Sequence, residues 1–256
     1  IYWFDRKKLD LSAIALGLSI ATKFMPVFLL VPIALIFLRR NQLRAALQYF
    51  AVTALTFAAI NLPVYLTTPE GWLRFYQLNL ARDSDWGSLW YAMSSLGVNM
   101  PNTDYLVILL LLAGFSAIAL YVLELRYVPS LAALSFIVMA TVMCVSKVYS
   151  PQYVLWLIPL AVIALTDKRD LHAFWIWQGG EIIYHIAIWQ HLATVTGAPF
   201  GLPAKGYALL TLVRIATTIY LIAVIARSAI KNSRTDEGRP HTRLFDFLFE
   251  GSSSYP

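Results

Sequence analysis

Marked off by charges and prolines, the 256-residue chain falls into long apolar runs separated by short polar steps. Allowing about 20 residues for each helical crossing of a bilayer, six runs predict spanning helices, at 45–66, 105–125, 129–146, 153–166, 171–190 and 207–226. A seventh run, 11–38, is interrupted by "TKFMP" at 22–26. Pro26 removes a helix hydrogen bond and Lys23 breaks the apolar face, leaving one long kinked span or two short helices. Basic residues choose between them. Arg6, Lys7 and Lys8 precede the run, and Arg39, Arg40 and Arg44 follow it. Such flanks favour the same, cytoplasmic, side of a membrane. The run is therefore expected to be a re-entrant hairpin, or at least a broken segment, covered by the rest of the protein.

Composition sharpens this into a class. The chain is 59% hydrophobic and 13% charged, with a mean hydropathy of +0.64, well outside the range of soluble domains. The expected fold is all-α, a polytopic membrane bundle over 1–231 with a cytoplasmic tail at 232–256. A net charge of +6 then reports membrane orientation rather than affinity for nucleic acid, and no nucleic-acid partner is expected. The single cysteine, Cys144, sits in an apolar run, so neither a disulfide framework nor a thiolate metal site is available. No cleavable leader is visible. The chain opens at Ile1 in what reads as a loop, and is expected to be part of a longer protein.

The remaining basic residues extend the topology. Arg126, Lys168, Arg169, Arg227, Lys231, Arg234, Arg239 and Arg243 fall on the cytoplasmic side, whereas Arg74, Arg82, Lys147 and Lys205 fall outside. The longest outer segment is 67–104, where Trp72, Phe75, Tyr76, Trp86, Trp90 and Tyr91 recur between charges. That pattern suits amphipathic helices lying at the interface. In the tail, "LFDFLF" is expected to touch the cytoplasmic leaflet, with a disordered serine run after it.

Polar residues inside apolar runs are the candidates for chemistry. A lysine at the centre of a membrane helix costs roughly 2.5–3.5 kcal/mol. "MCVSKVYSPQYVLW" at 143–156 nevertheless places Lys147 between two apolar blocks. Pro151 can start the following helix, whose free N–H groups attract anions. Lys147 beside Tyr149, Ser150, Gln152 and Tyr153 would suit a phosphate headgroup; an ordinary snorkelling lysine is the plainer reading. Arg82 is a second candidate anion contact because its planar fork suits phosphate. Asp83 and Asp85 next to it form an Asp-x-Asp pair, but two side chains are too few for a hard metal. No metal or other cofactor is expected.

Glu181 and His185 lie four apart on one helix face, with Gly179 and Gly180 permitting a close neighbour. They form either an intramembrane polar site or a structural network with Arg214 on the next helix. Lys23, at the break of the first run, meets the same lipid phosphate as Lys147 or pairs with Glu181; the sequence leaves both open. A transporter or lipid flippase would also use such residues in broken helices. It predicts an internal repeat, which is not visible, and polar residues in both leaflets rather than gathered towards the outer one.

Four stretches together resemble a known family. "LGLSIATKFMPVFLLVPI", "EGWLRFYQLNLARDSDWGSLWY", "SKVYSPQYVLWLIPL" and "WQGGEIIYHIAIW" look like the C-terminal portion of GT-C fold, polyprenol-phosphate-mannose-dependent α-mannosyltransferases of glycosyltransferase family 87. The pattern K-x-x-S-P-Q-Y-x-L-W, Lys147 to Trp156, is the most specific piece, and the likeness spans roughly 10–230. It implies an inverting transferase in the plasma membrane, moving a sugar from a polyprenyl phosphate to a lipid or glycan acceptor on the outer face, without a nucleotide sugar. In such enzymes an acidic residue in the first outer loop is the general base; here that loop would precede Ile1. The catalytic residue is thus unknown, and Asp83, Asp85 and Glu181 do not match it. The cations Lys147, Arg82 and Lys23 would hold the phosphate.

Overall fold

The computed structural model describes residues 1–125, 128–165 and 167–232. Arg126 and the tail from 233 onward, with its expected membrane contact, lie outside the described residues. Among those described there are helices and no strands. The chain divides into two compact units, Ile1–Asp83 and the part from Ser84 onward.

In the first unit a short α1 (Tyr2–Asp5) leads into α2 (Leu9–Thr22). The break comes where Lys23 turns extended, at φ −152°. A 3-10 turn, Met25–Leu29, carries Pro26 in its first positions, where a missing N–H is harmless. α3 (Leu30–Arg39) then runs back, because Phe37 near its end meets Phe4 before the start of α2, with ring centroids 5.7 Å apart. Tyr49, early in α4 (Leu43–Thr67), closes the cluster at 6.1 Å from Phe4 and 5.8 Å from Phe37. The broken first segment is therefore two short helices whose outer ends share one aromatic cluster. α4 packs along α2, pinned by a 2.9 Å bond between the Ser12 and Tyr49 hydroxyls. α5 (Pro69–Leu80) follows and buries none of its residues.

The second unit begins with α6 (Leu89–Ser95), capped by the Ser88 hydroxyl accepting from Tyr91 N–H. α7 (Thr103–Glu124) follows, its apolar face largely bare. α8 (Leu131–Val145) is apolar all round and accordingly central, with Leu134, Phe136, Val138 and Met143 among its fully buried residues. After a turn and a 3-10 step at Pro151–Tyr153 comes α9 (Val154–Ala164). Last are α10 (Leu171–Val195) and α11 (Ala204–Asn232). These two pack closely at Gly180, where a Cβ would collide with the side chain of Thr217; Gly179 faces open space.

Three described helices, Leu43–Thr67, Thr103–Glu124 and Ala204–Ser228, are long and apolar enough to cross a membrane. α8 and α9 are apolar but shorter. The fold is all-α and that of a polytopic membrane protein. One expectation changes. The aromatic residues of 86–91 read as interface anchors, yet Trp90 is buried and its indole N–H donates to Val145 O at 2.7 Å. A helix too short to stand alone has turned its aromatic face into the bundle.

Candidate functional site

The second unit is organised around a buried arginine. Arg214 has no exposure, and its Nε donates to both carboxylate oxygens of Glu181 at 3.0 and 2.9 Å. Its Nη1 donates to Tyr149 O at 2.7 Å and its Nη2 to Ser150 O at 3.3 Å. The guanidinium lies between two phenol rings, 3.5 Å from the centroid of Tyr149 and 4.1 Å from that of Tyr184. Tyr149 O–H in turn donates to Glu181 Oε1 at 3.1 Å. A cation without an anion would not be tolerated here. With Glu181 satisfied, the remaining guanidinium donors hold the backbone of the turn after α8.

That turn is the one carrying Lys147. Asp85 N–H donates to Lys147 O at 2.8 Å, so residues before α6 line the other side of the same backbone. Gly87 makes the approach possible, because a Cβ there would collide with Tyr149 O and the Tyr184 hydroxyl. Lys147 Nζ sits 2.6 Å from Asp104 Oδ1, in the first turn of α7. The lysine side chain is 19% exposed and the aspartate 68%. The lone cation of "SKVYSPQY" is thus largely sheltered beside a carboxylate that water reaches freely.

Further along, the same helices carry an aromatic relay. Tyr207 Oη lies 3.0 Å from Trp86 O and 3.1 Å from Tyr184 Oη. His191 stacks on Tyr207 at 4.4 Å and 5°. His191 Nδ1 is 3.1 Å from Leu202 O, an acceptor only, so Nδ1–H donates to it, and Nε2 lies 3.1 Å from the Tyr91 hydroxyl.

The expected site residues distribute as follows. Lys147, Tyr149, Ser150, Gln152 and Tyr153 share the turn. Tyr149 is fully buried with its hydroxyl turned to Glu181, Gln152 is exposed, and Tyr153 stacks on Trp156 at 4.7 Å. Glu181 and Arg214 are joined, and His185 bonds within its own helix to Glu181 O at 2.7 Å. Glu181 therefore pairs with Arg214, the structural network weighed for it. Arg82 and Asp83 are exposed after α5, at the end of the first unit. Asp85 Oδ1 accepts from Trp86 N–H at 2.8 Å. No cluster of metal-ligating side chains occurs among the described residues. Lys23 lines a cavity in the first unit, with α2, α4 and α5 around it. Sequence reasoning missed His191 and Tyr207. A helical count would have found them, since Glu181, Tyr184 and His191 fall on one face of α10, and Tyr207, Thr211, Arg214 and Thr218 on one face of α11.

A helical membrane protein with a polar centre buried behind a cation-bearing turn is the class these features define. The family model of glycosyltransferase family 87 matches residues 1–146. The chain belongs to that family, and so to the membrane glycosyltransferases. The match stops one residue short of Lys147, so the likeness expected over 147–230 rests on the residues quoted above. No curated protein and no solved structure matches the chain.

Proposed function

We propose that the protein transfers a sugar, mannose, from a polyprenyl-phosphate donor to a hydroxyl of a lipid or glycan acceptor at the outer face of the plasma membrane, inverting the anomeric carbon. In that step the acceptor oxygen bonds to the anomeric carbon as the bond to the phosphate oxygen breaks. The electron pair leaves with the phosphate, and the hydroxyl proton passes to a base. Negative charge grows on the departing phosphate, so a fixed cation beside it lowers the barrier.

The observation that carries the reading is Lys147. It is largely sheltered, its backbone is held by Arg214 through the neighbouring carbonyls, and its ammonium meets Asp104, an exposed carboxylate that a phosphate can replace. Family membership supplies the reaction class. The hydroxyl of Ser150 and the amide of Gln152 are the further phosphate contacts proposed, whereas Tyr149 serves by holding the turn. The test is to supply membranes containing the full-length protein with polyprenyl-phosphate [14C]mannose. Labelled glycolipid forming without any nucleotide sugar is expected. Label that enters product from a nucleotide sugar, and not from the lipid donor, would overturn the proposal.

A further inference from the structure

The end of α9 opposite Lys147 carries a second group of charges, which the transfer chemistry above does not use. The turn there is a 3-10 step, Lys168–Asp170, capped by Asp167 Oδ1, which accepts from Arg169 N–H at 3.0 Å. It docks on α11 through two contacts. Arg227 Nη2 lies 3.8 Å from Asp170 Oδ1, and His172 Nε2 lies 3.0 Å from the Tyr220 hydroxyl. His172 Nδ1–H donates to Arg169 O, which fixes the turn against the start of α10. The acids are turned inward, Asp170 buried and Asp167 largely sheltered, whereas the side chains of Arg169 and Arg227 are 86% and 74% exposed. The outward charge of this end of the second unit is therefore cationic, and guanidinium forks suit phosphate.

From these cations a groove runs between α10 and α11. Ile176, Gly179 and Ile183 repeat the face of His172 at helical spacing, and Ala216 repeats that of Tyr220, with Arg227 two turns beyond on the same face. Ile176, Ile183 and Ala216 are exposed, and a Cβ on Gly179 would meet nothing within 4 Å. The contact between His172 and Tyr220 sets the two faces on one side of the helix pair. From His172 to Ile183 is about 16 Å of helix, half of the roughly 30 Å hydrocarbon core and so the depth of one leaflet. We propose that this groove holds an acyl chain of a phospholipid whose anionic headgroup rests on Arg169 and Arg227. Both arginines fall on the expected cytoplasmic side, where anionic lipids gather and basic sites between membrane helices take their headgroups. An apolar groove ending in two guanidiniums complements both parts of such a lipid, whereas a free phosphate meets only one. The inference is independent of the transferase reading and of the role given to Lys147.

The test is native mass spectrometry of the purified full-length protein released from detergent micelles, with dioleoyl phosphatidylglycerol, dioleoyl phosphatidylcholine and inorganic phosphate as probes. Phosphatidylglycerol is expected to be retained more tightly than phosphatidylcholine, and inorganic phosphate in excess is expected not to displace it. Arg169→Gln combined with Arg227→Gln should weaken phosphatidylglycerol by about 25-fold, about fivefold for each charge near an anionic headgroup, while phosphatidylcholine changes far less. Both side chains are exposed, so their replacement leaves the packing intact. Gly179→Phe puts a ring into the groove and should weaken both lipids. Should Gly179→Phe fail to fold, the arginine variant decides. Phosphatidylglycerol held at the wild-type level by the arginine variant would overturn the proposal, as would phosphatidylcholine binding equally well. Displacement by inorganic phosphate, or a folded Gly179→Phe variant that keeps both lipids, would reduce the site to an anion contact without a groove and overturn it too.

Discussion

Replacing Glu181 by Leu tests how the second unit is held together. The substitution leaves Arg214, which has no exposure, without its anion. Breaking a buried pair from one side costs about 3–5 kcal/mol, since the orphaned charge must be desolvated or move. If the pair were an isolated ion pair, adding Arg214→Met would restore most of that stability, as apolar replacements of whole buried pairs generally do. Here it should not. Arg214 also donates to Tyr149 O and Ser150 O, and its removal orphans two carbonyls at about 1–3 kcal/mol each. The double variant is therefore expected to remain about 2 kcal/mol or more below wild type. The assay is reversible denaturation in mixed micelles, run on both single variants and the double one as a cycle. A double variant as stable as wild type would refute the claim that Arg214 clamps the turn. So would a Glu181→Leu variant within about 0.5 kcal/mol of wild type, because such a small loss is that of a surface site.

Further predictions follow from the same contacts. Gly87→Ala drives a methyl into Tyr149 O, which the Arg214 clamp prevents from yielding; a loss of about 1–3 kcal/mol is expected in the same denaturation assay, with reduced sugar transfer. Gly180→Val meets the Thr217 side chain, whose hydroxyl donates to Arg214 O, and should cost a similar amount; because it wedges α10 from α11 beside the Glu181–Arg214 pair, transfer per folded molecule is expected to fall as well. Asp104→Asn removes a carboxylate that is 68% exposed, and stability should change by no more than about 1 kcal/mol. Its KM for the lipid donor is expected to fall or stay level, since the phosphate no longer competes with a carboxylate for Lys147.

The architecture was largely legible because apolar length and charge punctuation speak directly of membrane helices. The run 11–38 broke where Lys23 and Pro26 said it would, since a cation and a missing N–H both defeat a continuous apolar helix. Glu181 and Arg214 stood out for the same reason, each a charge inside an apolar run. Two things were not legible. The pairing of Lys147 with Asp104 joins residues far apart in sequence, and neither spacing nor periodicity encodes it. Nor could the pattern distinguish aromatic residues at an interface from those packed inside: Trp90 and Tyr91 satisfy buried partners in α8 and α10, although the chain around them reads as amphipathic. The stripe Tyr207, Thr211, Arg214 and Thr218 was visible at helical spacing, but its members are dilute among leucines and draw the eye only once Arg214 is known to be buried.

The most direct measurement is the rate of sugar transfer from polyprenyl-phosphate [14C]mannose by full-length wild-type protein and its Lys147→Ala variant, reconstituted side by side in liposomes. Loss of one fixed charge opposite the departing phosphate should lower the rate by about 10²-fold, with the fold preserved. A variant that transfers at the wild-type rate would contradict the account and return Lys147 to an ordinary lysine at the membrane edge.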